Sequence, residues 1–161
     1  MRTYYKDINA DFICKQCGYY VSTQIQISGV ANRNHCPYCL HSRHVDLFRP
    51  GDRLCACKGI MTPVGLTLKR SKDKYAPVNG GELMLVHRCI SCGDLSINRI
   101  AADDDTNILL GVLSINTQDR PALLRACRIN GIRLCEEKHR HLVKSQLLGR
   151  SADLRVDAAT I

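Results

Sequence analysis

Cys14-Lys15-Gln16-Cys17 and Cys36-Pro37-Tyr38-Cys39 decide how the amino-terminal part of this chain folds. Each is a CxxC, and Gly18 to His35 separates them, which fits the C-x2-C-x15–20-C-x2-C spacing of a zinc site. Zinc takes four soft or borderline donors at tetrahedral angles. A CxxC turn presents two thiolates on one tight loop, and a glycine after the second cysteine, as at Gly18, helps the chain to turn. Buried reduced thiols would leave two matched pairs unexplained. The spacing therefore predicts a structural zinc centre on Cys14, Cys17, Cys36 and Cys39.

Working outward, Tyr19 to Ser28 (YYVSTQIQIS) alternates apolar and polar residues and predicts a half-buried strand with Val21, Thr23, Ile25 and Ile27 on one face. Gly29 and Asn32-Arg33-Asn34 then turn the chain back. The arrangement repeats loosely further on. Cys55-Ala56-Cys57 stands for one knuckle and Cys89-Ile90-Ser91-Cys92 for the other, joined by strand-like stretches Met61 to Leu68 and Leu83 to Arg88. The polar, Pro/Gly-punctuated segment between them reads as a hairpin tip. For this second zinc, Cys89 and Cys92 are firm ligands, while Cys55, Cys57 and His87 compete for the other two places. Cys57 is favoured over Cys55 because Gly59 follows closely. The fourth ligand, His87 or Cys55, stays open.

Composition agrees with metal. The 161 residues hold ten cysteines, no Trp and only 5% aromatics. A chain poor in large core-formers and rich in cysteine closes its fold covalently or with metal. No apolar h-region opens the sequence, and the longest apolar run, Ile108 to Ile115, is far short of the ~20 residues that span a bilayer. The expectation is a cytoplasmic chain with no membrane partner, in a reducing compartment that favours zinc over disulfides. With 45% hydrophobic and 24% charged residues, the chain is not a disordered one.

After Arg99 the pattern turns helical. Asp103-Asp104-Asp105 precedes Ile108 to Leu113, where acids suit a helix start. Asp119 and Pro121 open a second helix through Cys127 to Asn130-Gly131, and a third is expected from Arg133 to Leu148, stopping at Gly149. Cys127, Cys135, His139 and His141 invite a metal reading, but isolated cysteines on apolar helix faces are usually small buried hydrophobes. The expected class is α+β: zinc-ribbon units at 1–53 and 54–102, then a helical region at 103–161.

At Arg33-Asn34-His35-Cys36-Pro37 the sequence spells RNHCP, and it resembles the bacterial family named for that string. The likeness continues through His44-Val45-Asp46, Pro50-Gly51-Asp52-Arg53, Cys57-Lys58-Gly59, His87-Arg88-Cys89, Cys92-Gly93 and Asn98-Arg99-Ile100-Ala101, and covers about residues 11–107. The resemblance implies zinc-ribbon-like modules. It also supports Cys57 and the His87-Arg88-Cys89 segment over Cys55.

Formal net charge is +8, split as +3 over residues 1–53, +4 over 54–100 and +1 over 101–161. Ligating thiols are deprotonated, so two zinc sites lower the total to about +4 or +5. The tip segment is dense in cations, with Lys69, Arg70, Lys72 and Lys74 beside Tyr75, and suits phosphate contacts and base stacking. A solvated hairpin tip would also carry lysines. On a basic double ribbon with no groove-reading helix, the expected function is non-catalytic binding of RNA or a ribonucleoprotein such as the ribosome. Two alternatives are a protein–protein adaptor built on rigid ribbons, and a metal-dependent nuclease using Asn34, His35, His44 and Asp46. Against the nuclease, catalytic zinc keeps an open position that four protein ligands would fill.

Overall fold

A computed structural model describes residues 9–70, 81–115 and 120–149, with only the backbone of Arg70. The architecture is mixed α+β. A two-stranded sheet pairs β1 (Phe12–Ile13) with β2 (Tyr20–Val21), and a four-stranded antiparallel sheet follows the order β3 (Ser42–Arg43), β4 (Ile60–Arg70), β5 (Gly81–Cys89), β6 (Leu95–Arg99). Helices α1 (Ile25–Ser28), α2 (Thr106–Leu113), α3 (Pro121–Ile129) and α4 (Arg140–Leu148) complete it, with a 3-10 turn at Glu137–His139.

The antiparallel β4–β5 pair lies where the two strand-like stretches predicted it, running from Met61↔Cys89 to Arg70↔Gly81 with a one-residue register shift between Pro63 and Gly65. Its Leu83 to Val86 run is continuous rather than alternating because both sheet faces are covered. Leu66, Leu83 and Leu85 pack with Leu109, Val112 and Leu113 of α2 and Val143 of α4. Val64 and Val86 pack with Leu123 and Cys127 of α3, on the side opposite Leu85. The helices thus close the hairpin on both faces. Cys127 sits inside the second cluster and Cys135 packs against the first, as small apolar groups would.

Two expectations fail locally. The Tyr19–Ser28 strand shrinks to Tyr20–Val21, and Ile25–Ser28 forms one helical turn closed by Gly29 at φ 67°. Ile25 and Ile27 alternate with glutamines but stay exposed, so the pattern reflects no buried sheet face. The last helix begins at Arg140 rather than Arg133 because residues 133–135 are drawn to the outer edge of β4. Leu134 bridges Thr67, the Cys135 N–H donates to the Leu66 carbonyl at 2.6 Å, and the Thr67 hydroxyl donates to the Arg133 carbonyl at 2.7 Å. This covers an edge that β3 is too short to protect. Gly65 makes room for it, since a Cβ there would stand 2.9 Å from Leu134 Cδ2.

The acids before α2 do separate jobs. Asp105 caps the helix through the N–H groups of Asn107 and Ile108. Asp103 and Asp104 turn inward to Arg33, whose side chain is fully buried: Nη1 reaches Asp103 at 2.8 Å, Nη2 reaches Asp104 at 3.3 Å, and Nε donates to the His35 carbonyl at 3.1 Å. His35 Nε2 contacts the same Asp104 at 2.7 Å, and Asp104 also accepts the Ala101 N–H. The Arg33-Asn34-His35 string is therefore the tie between the first knuckle pair and the start of α2. Asn34 turns the other way, donating to Asp46, which also accepts the N–H groups of Gly51 and Arg53.

Candidate metal centres

Three knuckles share one construction. The N–H of the residue after the second cysteine donates to the carbonyl of the first: Gly18 to Cys14 at 2.9 Å, Leu40 to Cys36 at 2.9 Å, and Gly93 to Cys89 at 3.0 Å. All three donors have positive φ, at 77°, 59° and 84°. Leucine is unusual in that region and costs about 1–2 kcal/mol there. Leu40 is fully buried in the main core, so side-chain burial offsets the strain.

Cys14, Cys17, Cys36 and Cys39 converge as the spacing predicted, with their sulfurs all within 4.8 Å of one another. Zn–S bonds of about 2.3 Å at tetrahedral angles set neighbouring sulfurs about 3.8 Å apart. Here Cys14–Cys39 and Cys17–Cys36 are each 3.6 Å apart. The thiols are at odds with one another as acids. Burial pushes Cys36 up to about 11 and raises Cys39 further. Burial also opposes the Cys17 thiolate, but the Tyr19 N–H and the neighbouring thiols outweigh it and Cys17 falls below its usual value. A divalent cation at the centre resolves the conflict, because all four can then ionise.

The second group is His44, Cys57, Cys89 and Cys92. Cys57 and Cys89 sulfurs stand 3.7 Å apart, and His44 Nδ1 is 3.3 Å from Cys92 Sγ, near the ~3.6 Å edge expected between N and S ligands. The other ring nitrogen, Nε2, faces the Asp94 carboxylate at 3.9 Å, the sense in which carboxylates orient metal-bound histidines. Burial works against the Cys89 thiolate, yet the N–H groups of Cys92 and Ser91 and the thiols of Cys92 and Cys57 bring it down to about 6. The two clusters are positioned to bind two zinc ions.

His44 corrects the fourth ligand, for which His87 and Cys55 had competed. His87 is fully buried, its Nε2–H donates to the Leu40 carbonyl at 2.6 Å, and its Nδ1 accepts from the Asn98 amide at 2.9 Å. No lone pair is left for a metal. Burial, helped by the nearby His35, holds the ring down to about 3, so it stays neutral. Cys55 is buried but outside the group. Its stretch runs beside residues 44–45 instead: the Cys55 N–H donates to Val45 at 2.9 Å, the Lys58 N–H to His44 at 3.1 Å, and the His44 N–H to Gly59 at 2.9 Å. That pairing is what delivers His44. Gly59 serves close approach rather than a special dihedral. A Cβ there would lie 2.9 Å from Cys89 Sγ and 2.7 Å from Ser91 Oγ, while Lys58 carries the positive φ of 53°.

Of the tip residues, only Lys69, exposed at the end of β4, and the backbone of Arg70 can be placed; Lys72, Lys74 and Tyr75 lie outside the described residues. The nuclease candidates are occupied otherwise. His35 is buried on Asp104, Asn34 and Asp46 are bonded to each other and to Arg53, and His44 points at thiolates. Beside the second centre opens a cleft of about 660 Å³, lined by Arg43, Arg88 and Phe48 among others. The Arg43 guanidinium lies 3.7 Å over the Phe12 ring. None of these was singled out from the sequence, where isolated arginines carry no spacing signal.

Two complete four-donor sets, one on two CxxC knuckles and one on a single knuckle with Cys57 and His44, define a protein with two sites suited to structural zinc. Within that class, the model of the RNHCP domain matches residues 9–110, and the chain belongs to that family. Comparison with curated proteins and with solved structures found no match. Among the described residues no helix is long and apolar enough to cross a membrane.

Proposed function

We propose that this is a non-catalytic protein of tandem zinc-ribbon units, finished by a helical region, that binds RNA or a ribonucleoprotein such as the ribosome in the cytoplasm. With both donor sets complete at four, the metals have a structural task and no open position for substrate. The observation that carries the binding reading is a set of cations that no carboxylate contacts. Lys15, Arg43, Lys58 and Arg88 make no ion pair among the described residues. All four belong to the half of the chain that holds most of the positive charge. One zinc on four thiolates and one on three thiolates and an imidazole leave a net charge of about +5. Unpaired cations on a rigid scaffold are the footprint of phosphate recognition.

Cross-linked co-purification from cells, with and without ribonuclease, tests the reading. RNA should be recovered with the protein, and co-purifying proteins should disappear after digestion. Partners that persist unchanged would overturn it in favour of an adaptor. In vitro, affinity for RNA should fall steeply with salt. Alanine at Arg43 and Arg88 should flatten that slope by about 0.7 for each single-strand phosphate no longer neutralised.

A further inference from the structure

We infer that the first metal centre carries a stacking platform for unpaired RNA bases, formed by Tyr19 and Tyr38, with the exposed Lys15 and Lys58 as the phosphate contacts. The inference rests on the RNA reading above and names what that surface recognises.

The chain has only six Tyr, two Phe and no Trp. Aromatic side chains are the largest apolar residues available to a small core, each able to bury roughly 150–250 Å². Yet Tyr19, Tyr20 and Tyr38 are 61%, 58% and 54% exposed around the first centre, whose own small core is made of Cys14, Val21 and Cys36. The knuckles place two of these rings. Tyr19 follows the Cys14–Gly18 turn, and Tyr38 sits inside the second CxxC, between Pro37 and Cys39. The two sulfur pairs bring the rings side by side, with centroids 5.0 Å apart and planes tilted by 44°. The rings touch each other, and both residues stay more than half exposed.

The exposed lysines of the first knuckle and of the Cys57-Lys58 stretch suit a polyanion better than an apolar protein face, while the one carboxylate tied to these tyrosines, Asp11, is engaged by the Tyr20 hydroxyl. Lys15 lies in the first knuckle itself, and its ammonium donates to the Lys58 carbonyl at 3.4 Å. The Lys58 ammonium donates to the Arg53 carbonyl at 3.1 Å. Both lysines are exposed and both bind backbone carbonyls, which leave their charge uncompensated. Exposed aromatic faces together with unpaired cations match single strands, because every base has a π-face and every nucleotide a phosphate. A duplex keeps its bases stacked on each other and has no use for such rings.

The test is fluorescence anisotropy of the zinc-loaded full chain with a labelled 12-residue oligouridylate, alongside zinc stoichiometry for each variant. Tyr19→Ala and Tyr38→Ala should each weaken binding about tenfold, as expected when one base loses its stacking partner. Tyr19→Phe and Tyr38→Phe should bind like wild type. Tyr19→Leu and Tyr38→Leu keep an apolar side chain without a π-face, and should bind as poorly as the alanine variants. The leucine pair also decides the matter if alanine disturbs the knuckle. Lys15→Ala with Lys58→Ala should lower the salt slope by about 1.4, two phosphates at about 0.7 each. If wild type binds the oligomer and the leucine variants bind equally well, the platform is wrong and the RNA reading survives. If wild type binds no RNA at low salt, both fall.

Discussion

Removing the His44 imidazole should strip one zinc from the protein and leave the other in place. Structural zinc in finger peptides is held by about 10–16 kcal/mol. Shared evenly over four ligands, His44 carries about 3 kcal/mol, or roughly a hundredfold in affinity at ~1.4 kcal/mol per factor of ten. The 3.3 Å approach of Nδ1 to Cys92 Sγ places it inside the donor shell, so the full share is expected. Competition against a chromophoric chelator would read the two sites separately. Wild type should hold two ions tightly. His44→Ala should hold one at wild-type affinity and one about a hundredfold weaker, and His44→Cys should restore the second as a four-sulfur site. Cys55→Ser should change neither. A His44→Ala protein that keeps both ions at full affinity, or a Cys55→Ser protein that loses one, would refute the assignment.

Three further outcomes follow from the packing. Asp104→Asn leaves the buried Arg33 guanidinium short of a counter-charge and disturbs His35, and should cost about 3–5 kcal/mol in urea unfolding of the zinc-loaded protein. A loss below 1 kcal/mol would mean that the tie is not buried as described. Gly59→Ala forces a Cβ against Cys89 Sγ and Ser91, so the second zinc should weaken while the first keeps its affinity in the same chelator titration. His87 gives a pH signature. Its ring is held at about 3 when folded, below the ~6.5 of the unfolded chain, so below ~6.5 the unfolded state takes up the extra proton. The ring's contribution is complete above that value and declines by about 1.4 kcal/mol per unit as pH falls from ~6.5 toward 3. Between pH 7 and 5 the wild type should lose about 2 kcal/mol more stability than His87→Gln in zinc-saturated buffer. Parallel profiles would disprove the neutral, buried ring.

The parts of the fold that were legible are those in which neighbours in sequence do the work. The first centre follows from two CxxC turns, and the β4–β5 hairpin from two apolar runs around a polar tip. The family string Arg33-Asn34-His35 could be seen but not interpreted, because its partners Asp103 and Asp104 lie some seventy residues away. His44 was hidden for a similar reason. It belongs to no knuckle, and only the pairing of residues 44–45 with 55–59 brings it to Cys92, across 48 residues of chain. His87 looked like a ligand because it stands beside Cys89, and spacing gives no hint that Leu40 and Asn98 already occupy both of its nitrogens. The Tyr19–Ser28 stretch misled through alternation without burial. What covers a strand, and not its pattern alone, decides whether it extends. Tyr19 and Tyr38 were quoted as parts of the motifs around them, and their pairing appears only once both knuckles are closed.

The dependence of Arg33 on Asp103 and Asp104 has a consequence for the newly made chain. Synthesis delivers the first four cysteines early, and they can capture an ion as soon as Cys39 is available. The guanidinium beside them, however, stays wet until the acids seventy positions later have been added. A nascent chain halted before residue 103 would hold its metal in a loose shell, open to chelators and proteases. Extending it through the start of α2 should shut that shell in one step.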